Sequence, residues 1–450
     1  VTRTRVIVLD DDPTGSQTVH GCLLLMRHDV ATLRMALQDA APLFFVLTNT
    51  RAMRADKAAA VTREVCVNLR RALDELAAAG EIINPLLVSR SDSTLRGHYP
   101  VETDVIAGEL GPFDAHFLVP AFFEGGRITR DSVHYLLTGG VRVPVHETEF
   151  ARDSVFGYRH SYLPDYVEEK TAGRIHASEV ERFLLDELRG VVSDRLMRLS
   201  GNRCCVVDAE RQTDLDRFCT QLLQCAAQGK RYLFRSAASL LTSLAQLPPQ
   251  PVAAKAMGEY VRDGRPGAVI VGSHVNKTTG QLAELLAMPG IEGMEVDVGR
   301  IDSGRETLLE DILVRAHHAH RAGLTSVIYT SRTEKTFADQ GARLAFGERV
   351  SALLMDVVRE LPESLGFLVS KGGITSNDVL ASGLGLRAAR LLGQILPGCS
   401  VVRCPEDHAR FPGMPVVIFP GNVGDAWALA RVQARLAGAT EDAHADNTCT

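Results

Sequence analysis

Short apolar runs at residues 6–9, 44–47, 86–88 and 117–119 alternate with long stretches of helical spacing such as residues 55–79. Runs this short suit buried strands rather than helices, so the alternation predicts helices layered on a parallel sheet, an α/β fold. From Ala55, the residues Val61, Val65, Leu69, Leu73 and Leu76 line one helical face, and Gly80 suits the end of that helix. The rhythm breaks at Pro248, Pro249 and Pro251 and restarts at Val269-Ile270-Val271-Gly272. The expected organisation is therefore an N-terminal domain over residues 1–247, a C-terminal domain over residues 252–440 and a polar tail over residues 441–450. Strands are expected in the second half near residues 294–298, 326–329, 367–369, 401–403 and 416–419.

The 450 residues carry 49 Lys+Arg against 55 Asp+Glu, a net charge of −6, which argues against a basic nucleic-acid binder. With 45 % hydrophobic residues the chain can bury real cores. Its longest apolar runs fall far short of the roughly 18 to 20 residues that a membrane span needs. Residues 2–5 lead straight into a strand and three aspartates, without the apolar core of a signal peptide, so a cytoplasmic location is expected. The 9 cysteines form no CxxC pair, so neither a disulfide framework nor a zinc ribbon is expected, and most should be reduced, buried thiols.

Three polar loops follow strands in the first half. Asp10-Asp11-Asp12-Pro13-Thr14-Gly15 comes directly after residues 6–9, and adjacent carboxylates repel one another, so they call for a cation, a hydroxyl or an arginine. Arg90-Ser91-Asp92-Ser93-Thr94-Leu95-Arg96-Gly97-His98 supplies both signs of charge: Arg96 has the planar fork suited to a carboxylate, while Asp92, Ser91 and Ser93 suit sugar hydroxyls. Thr48-Asn49-Thr50-Arg51 would bring Arg51 to the same edge of a parallel sheet. Read singly, each has an ordinary explanation as an Asx turn, a surface ion pair or a plain loop.

Three turns in the second half suit phosphate. They are Gly272-Ser273-His274; Lys371-Gly372-Gly373-Ile374-Thr375 with Ser376, Asn377 and Asp378 beyond; and Gly421-Asn422-Val423-Gly424-Asp425. Glycines allow close backbone approach and hydroxyls at a helix start suit an anion, although glycine is also the default residue of tight connections. Lys371 could neutralise phosphate charge, but a lysine at a strand end is more often solvated. No Walker loop, HExxH, GxSxG or EF-hand pattern is present. Gly383-Leu384-Gly385-Leu386-Arg387-Ala388 matches GxGxxA but follows a helical pattern, the wrong context for a dinucleotide. His317, His318 and His320 lie on the helical pattern of residues 305–322 and are expected on its solvated face.

Taken together the loops resemble the four-carbon acid sugar kinase family nearly end to end. Asp11-Asp12-Pro13-Thr14-Gly15 looks like its DDxTG signature and Asp92-Ser93-Thr94-Leu95-Arg96-Gly97 like its DSTLRG signature. The resemblance implies two α/β domains without a Walker P-loop, an interdomain active-site cleft, and transfer of phosphate from ATP with Mg²⁺ to a sugar acid. It implies that Asp11, Arg51, Arg90, Ser91, Asp92 and Ser93 bind the sugar acid with Arg96 nearby. For phosphoryl transfer itself, Arg96 and Arg51 are expected to fix the substrate carboxylate while Asp11 or Asp12 orients the acceptor hydroxyl and accepts its proton. Ser273, Gly372, Gly373, Ile374, Thr375, Gly421, Asn422, Val423 and Gly424 fall where the family keeps its nucleotide loops, with Ile374 at a position often acidic in relatives. The metal ligands and any homo-oligomer formation stay open. So do two other readings, a nicotinamide-dependent oxidoreductase of a small hydroxy acid and a non-catalytic sugar-acid-binding protein.

Overall fold

The computed structural model describes residues 3–272, 276–332, 340–421 and 423–438. The chain divides at the proline cluster into two compact units, Val1–Pro248 and Pro249–Thr450. Proline lacks the N–H that a helix or a strand ladder would need there.

The first unit contains strands β1 (Arg3–Asp10), β2 (Leu23–Leu25), β3 (Leu43–Leu47), β4 (Ile83–Arg90) and β5 (Ala115–Val119), then β6 (Arg127–Arg130), β7 (Val133–Thr138) and β8 (Val141–Pro144), and finally β9 (Glu181–Phe183), β10 (Arg203–Val207) and β11 (Tyr232–Ser236). Its main sheet runs β2-β3-β1-β4-β11-β5-β10-β9 with every pairing parallel. Parallel strands are covered on both faces, which is why β3 is apolar and buried at every position instead of alternating. The helix expected from residue 55 runs Ala55–Ala78, and Gly80 follows with φ +86°. Its buried face includes Thr62 and Ala72, while Val61 and Leu73 are only half-buried, because the helix packs between the helices Val30–Gln38 and Val101–Leu110.

Strands β6, β7 and β8 form a separate antiparallel sheet that the βα rhythm does not announce. These strands are short and their burial is mixed, so neither a period of two nor an apolar run stands out. The chain after them adds Val145, Tyr158, Leu163, Tyr166 and Val167 to a core that also holds Leu95 and Tyr99.

The second unit contains β12 (Ala268–Val271), β13 (Ile291–Val296), β14 (Thr325–Thr330), β15 (Leu368–Lys371), β16 (Ala388–Leu396), β17 (Cys399–Arg403) and β18 (Pro415–Phe419). The order is β13-β14-β12-β15-β18-β17-β16; the first five are parallel, and β17 and β16 are antiparallel additions. Strand β16 carries two irregularities in its pairing, and Gly393 sits there at φ +133°. Such interruptions hide a strand from pattern reading. The GxGxxA string passes from a π-helical turn, Val379–Gly383, into β16, the reverse of a strand-to-helix phosphate turn. His317 and His320 do more than face solvent: their Nε2 atoms lie 3.0 Å from the Glu360 carbonyl and 2.8 Å from Ser364 Oγ. Among the described residues no helix is long and apolar enough to cross a membrane.

Candidate active site

Strand register brings the first three polar loops together. Asp10 lies opposite Leu47 and Arg90, Arg90 opposite Ser236, and Ser236 opposite Val119. The carboxyl ends of β3, β1, β4, β11 and β5 are therefore level, and their loops leave on one edge, where open α/β sheets hold ligands. The ladder continues past the strand ends, with Thr48 N donating to Asp10 O at 2.9 Å and Ser91 N to Ser236 O at 2.9 Å.

Asp11 and Arg51 are the centre of this edge. Arg51 Nε donates to Asp11 Oδ2 at 3.1 Å, its Nη2 to Oδ1 at 2.5 Å, and Ser91 Oγ donates to Oδ2 at 2.6 Å. Burial would lower the Arg51 pKa, but the Asp11, Asp12 and Asp92 carboxylates outweigh it and hold the guanidinium well above the ordinary arginine value. Asp12 differs from its neighbour. Its Oδ1 accepts from Thr14 N at 2.8 Å and Thr14 Oγ1 at 2.5 Å, its Oδ2 stands 3.5 Å from Arg51 Nη1, and the side chain keeps 24 % exposure against 1 % for Asp11. Despite the penalty of burial, Arg51 and Thr14 hold the Asp12 carboxyl below the usual range. Asp12 is thus an ionised carboxylate that solvent, and hence a substrate hydroxyl, can reach.

Asp92 and Arg96 meet as an ion pair at 2.8 Å, with Thr94 Oγ1 donating to the same carboxylate. Although burial opposes ionisation, Arg51 and Arg96 drive the Asp92 carboxyl well below its usual range. Arg96 is further held by Asp153 at 3.7 Å and stands 4.9 Å above the Phe150 ring. Its fork, expected to be open for a carboxylate, is already engaged by protein groups on several sides. Arg90 is buried and donates to Asp10 Oδ1 at 3.3 Å. Ser93 is buried in the same loop.

Two buried residues of this edge, Arg235 and Glu102, were not singled out from the sequence, and Asp10 was named only within the aspartate run. Asp10 is fully buried; burial pushes its carboxyl up to about 7, with Arg90 opposing and Asp11 and Asp12 adding to the rise. A Cβ at Gly15 would lie 2.1 Å from Asp10 Oδ2, so only glycine fits over that carboxylate. Arg235 and Glu102, both buried, pair at 2.6 Å; Arg235 also donates to Ser89 Oγ at 2.8 Å and Glu102 accepts from Thr50 Oγ1 at 2.5 Å. Gly97, at φ +118°, must be glycine because a Cβ would lie 2.3 Å from Ser91 Oγ and 2.6 Å from Arg235 Nη2. Asp10 was visible as the first member of the aspartate run, whereas a single arginine in β11 and a single glutamate in a helix carry no local signal.

In the second unit Lys371 lies opposite Val271 and Phe419, so the turns after β12, β15 and β18 also leave one edge. Gly372 has φ +118° and opens the short helix Gly373–Asp378; Ile374 at its start is 69 % exposed and Thr375 is nearly buried. A Cβ at Gly272 would lie 2.4 Å from Thr375 Oγ1, so the first turn presses on the second. The third is tied down from the helix Asn276–Leu286: Thr278 Oγ1 donates to Gly421 O at 3.2 Å and Gln281 Nε2 to Val423 O at 2.9 Å. Gly424 has φ +81° in the same turn. Ser273 and Asn422 lie outside the described residues.

Lys371 corrects the expectation of a solvated strand-end lysine. It is 0 % exposed, its Nζ donates to Pro420 O at 2.6 Å and Gly421 O at 3.2 Å, and it sits 4.1 Å from the Phe419 ring centroid. The side chain ties the β15 end to the β18 turn. Burial pushes its pKa from 10.5 down to about 7. Because the unfolded chain then binds more protons between those values, stability present above about pH 10 is lost as pH falls towards about 7. Lys371→Met is expected to flatten that slope, read from urea denaturation at about pH 7 and about pH 10; an unchanged slope rules this assignment out.

Among the described residues no group of three or more metal-binding side chains is assembled. Asp378 accepts from Ser351 Oγ at 2.5 Å and Asn377 Nδ2 at 3.2 Å, and Asp425 pairs with Arg431 at 2.9 Å. These carboxylates form no cage for a bare divalent ion, but they are compatible with one that arrives on a phosphate and keeps its waters.

Two domain models match the chain: a sugar-binding N-terminal domain over residues 6–244 and a nucleotide-binding C-terminal domain over residues 268–429. The chain is 28 % identical over 218 residues to a D-erythronate kinase of Heliobacterium modesticaldum, covering 47 % of this chain and 47 % of that protein. It is 28 % identical over 144 residues to a 3-oxo-isoapionate kinase of Paraburkholderia graminis, covering 29 % and 30 %. The matched regions therefore span about half or less of these relatives. Among solved structures, a protein of Salmonella typhimurium described as a putative tRNA synthase aligns with TM-score 0.70 at 20 % identity, over 95 % of this chain and 98 % of that one. A Haemophilus influenzae protein from a domain-of-unknown-function family aligns with TM-score 0.64 at 16 % identity, over 96 % and 100 %. At such identities the likeness establishes the fold alone.

Proposed function

Since the chain belongs to the four-carbon acid sugar kinase family, we propose that it transfers the γ-phosphoryl group of ATP to the terminal hydroxyl of a four-carbon sugar acid of the erythronate, threonate or 3-oxo-tetronate class. The observation that carries this reading is the placement of Asp12: an ionised, reachable carboxylate 3.5 Å from the Arg51 guanidinium on the ligand edge of the sugar-binding domain. The anion would be held by Arg51 and the loop Arg90 to Ser93, with Arg96 acting mainly through Asp92.

Phosphoryl transfer asks the protein for alignment and charge neutralisation more than for covalent chemistry. The acceptor oxygen bonds to the γ-phosphorus, the bond to the β,γ-bridging oxygen breaks with its electron pair leaving on ADP, and the acceptor proton passes to Asp12. Asp11 is assigned to holding Arg51 in place, because Arg51 occupies both of its oxygens and Ser91 shares one of them. ATP would lie on the turns at Gly372 to Thr375 and Gly421 to Gly424, with Ser273 as a further contact. Mg²⁺ arriving with the nucleotide would supply neutralisation of phosphate charge, and Asp378 and Asp425, already engaged by protein groups, could meet it only through water.

The test is ADP release measured by a coupled assay across a panel of tetronates and 3-oxo-tetronates, with and without Mg²⁺. Turnover with at least one four-carbon acid is expected; ADP release that no sugar acid stimulates would sink the proposal. The nicotinamide reading gains nothing from the GxGxxA string, which enters a strand instead of a helix.

A further inference from the structure

Three successive carbonyls of the Asp92 to Arg96 loop are each held by a buried side chain from one distant stretch of sequence. His134 Nε2 lies 2.7 Å from Ser93 O, Tyr158 OH donates to Thr94 O at 2.7 Å, and Tyr166 OH donates to Leu95 O at 2.8 Å. A carbonyl only accepts, so His134 carries its proton on Nε2, and Nδ1 accepts from Thr129 Oγ1 at 2.9 Å. Burial pushes the His134 pKa down to about 4, consistent with that neutral ring. The donors come from β7 and from the helix Leu163–Lys170 with the chain leading into it, all outside the main sheet. The same stretch supplies Phe150 and Asp153 to Arg96.

The loop needs such support. Leu95 has φ +66°, a left-handed conformation that a side chain with a Cβ disfavours. Buried carbonyls without donors are costly, so three fixed donors select the one loop path that meets all of them. Asp92 and Arg96, at either end of these carbonyls, take their positions from that path.

We propose that His134, Tyr158 and Tyr166 are positioning residues for sugar-acid binding: residues 127–170 act as a template that sets the Asp92 to Arg96 loop, and thereby the fit of the sugar acid. This inference rests on the kinase reading, so wild-type turnover on the acid panel is established first; if that fails, the functional reading falls, whereas normal wild-type turnover with unaffected variants overturns only the template. The experiment compares KM for the sugar acid, KM for ATP and melting temperature in Tyr158→Phe, Tyr166→Phe and the double variant. These changes remove hydroxyls and keep both rings in the core. Each is expected to raise the sugar-acid KM by about tenfold, as for the loss of one buried hydrogen bond, with the ATP KM within about twofold of wild type.

An unchanged sugar-acid KM, with or without a lower melting temperature, would show a role in stability alone and overturn the proposal; equal rises in both KM values would do the same. Should the double variant fail to fold, the single variants and a His134 pair decide the matter. His134→Gln, which keeps a donor in reach of Ser93 O, is expected to retain the sugar-acid KM that His134→Leu loses. Equal KM values in those two variants would also overturn the template.

Discussion

Asp12→Asn is expected to lower turnover about 10² to 10⁴-fold, the usual contribution of a positioned proton acceptor, while KM for ATP stays within about twofold. The substitution keeps the size of the side chain and an oxygen for Thr14, so the turn at Asp12 to Gly15 should survive it. What it removes is the reachable negative charge, since Asp12 is the exposed member of the aspartate run at 24 %. Asp11→Asn should behave differently. Asp11 pairs through both oxygens with Arg51, and its loss would free that guanidinium and raise the sugar-acid KM more than it lowers turnover. Steady-state kinetics with both substrates varied separate the two. If Asp11→Asn produced the larger loss of turnover and Asp12→Asn a near-normal enzyme, the assignment of the proton acceptor would be reversed.

Glu102→Gln is expected to destabilise the protein by about 3 to 5 kcal/mol, because it leaves the Arg235 charge buried without a counter-charge. The pair is 2.6 Å apart, nearly closed to solvent, and joined to Thr50 and Ser89, so it lies beneath two of the three ligand loops. Breaking such a pair on one side is severe, whereas replacing both members with apolar residues of similar volume is often close to neutral. Glu102→Leu combined with Arg235→Met should therefore recover much of what Glu102→Gln loses. Urea denaturation checks both statements. A loss below about 1 kcal/mol in Glu102→Gln would mean that solvent reaches Arg235 after all.

Much of this edge is readable in one dimension. The strings around Asp11 and Ser91 follow apolar runs, and a run followed by polar turn residues marks where a parallel strand ends and a ligand loop begins. The glycine turns after β15 and β18 are legible for the same reason. By contrast Lys371 looks like any lysine at the end of a strand, and nothing local reveals that Pro420 and Gly421 turn their carbonyls towards it. The short strands β6, β7 and β8 and the interrupted strand β16 escape because they are too short or too irregular to leave a period.

From its order of residues alone this protein is committed to alternating strands and helices, to a break at its prolines and to polar loops at the ends of particular strands, because periodic burial and backbone chemistry act over a few neighbouring residues. Tertiary structure decided which groups in those loops are free. Parallel register set Asp10 beside Arg90, Arg235 met Glu102 across 133 positions of sequence, and Tyr166 reached a carbonyl 71 residues away. Those pairings depend on how distant strands align. Local spacing carries no information about that alignment, so the roles of Asp11 and Asp12, identical as residues, separate only in three dimensions.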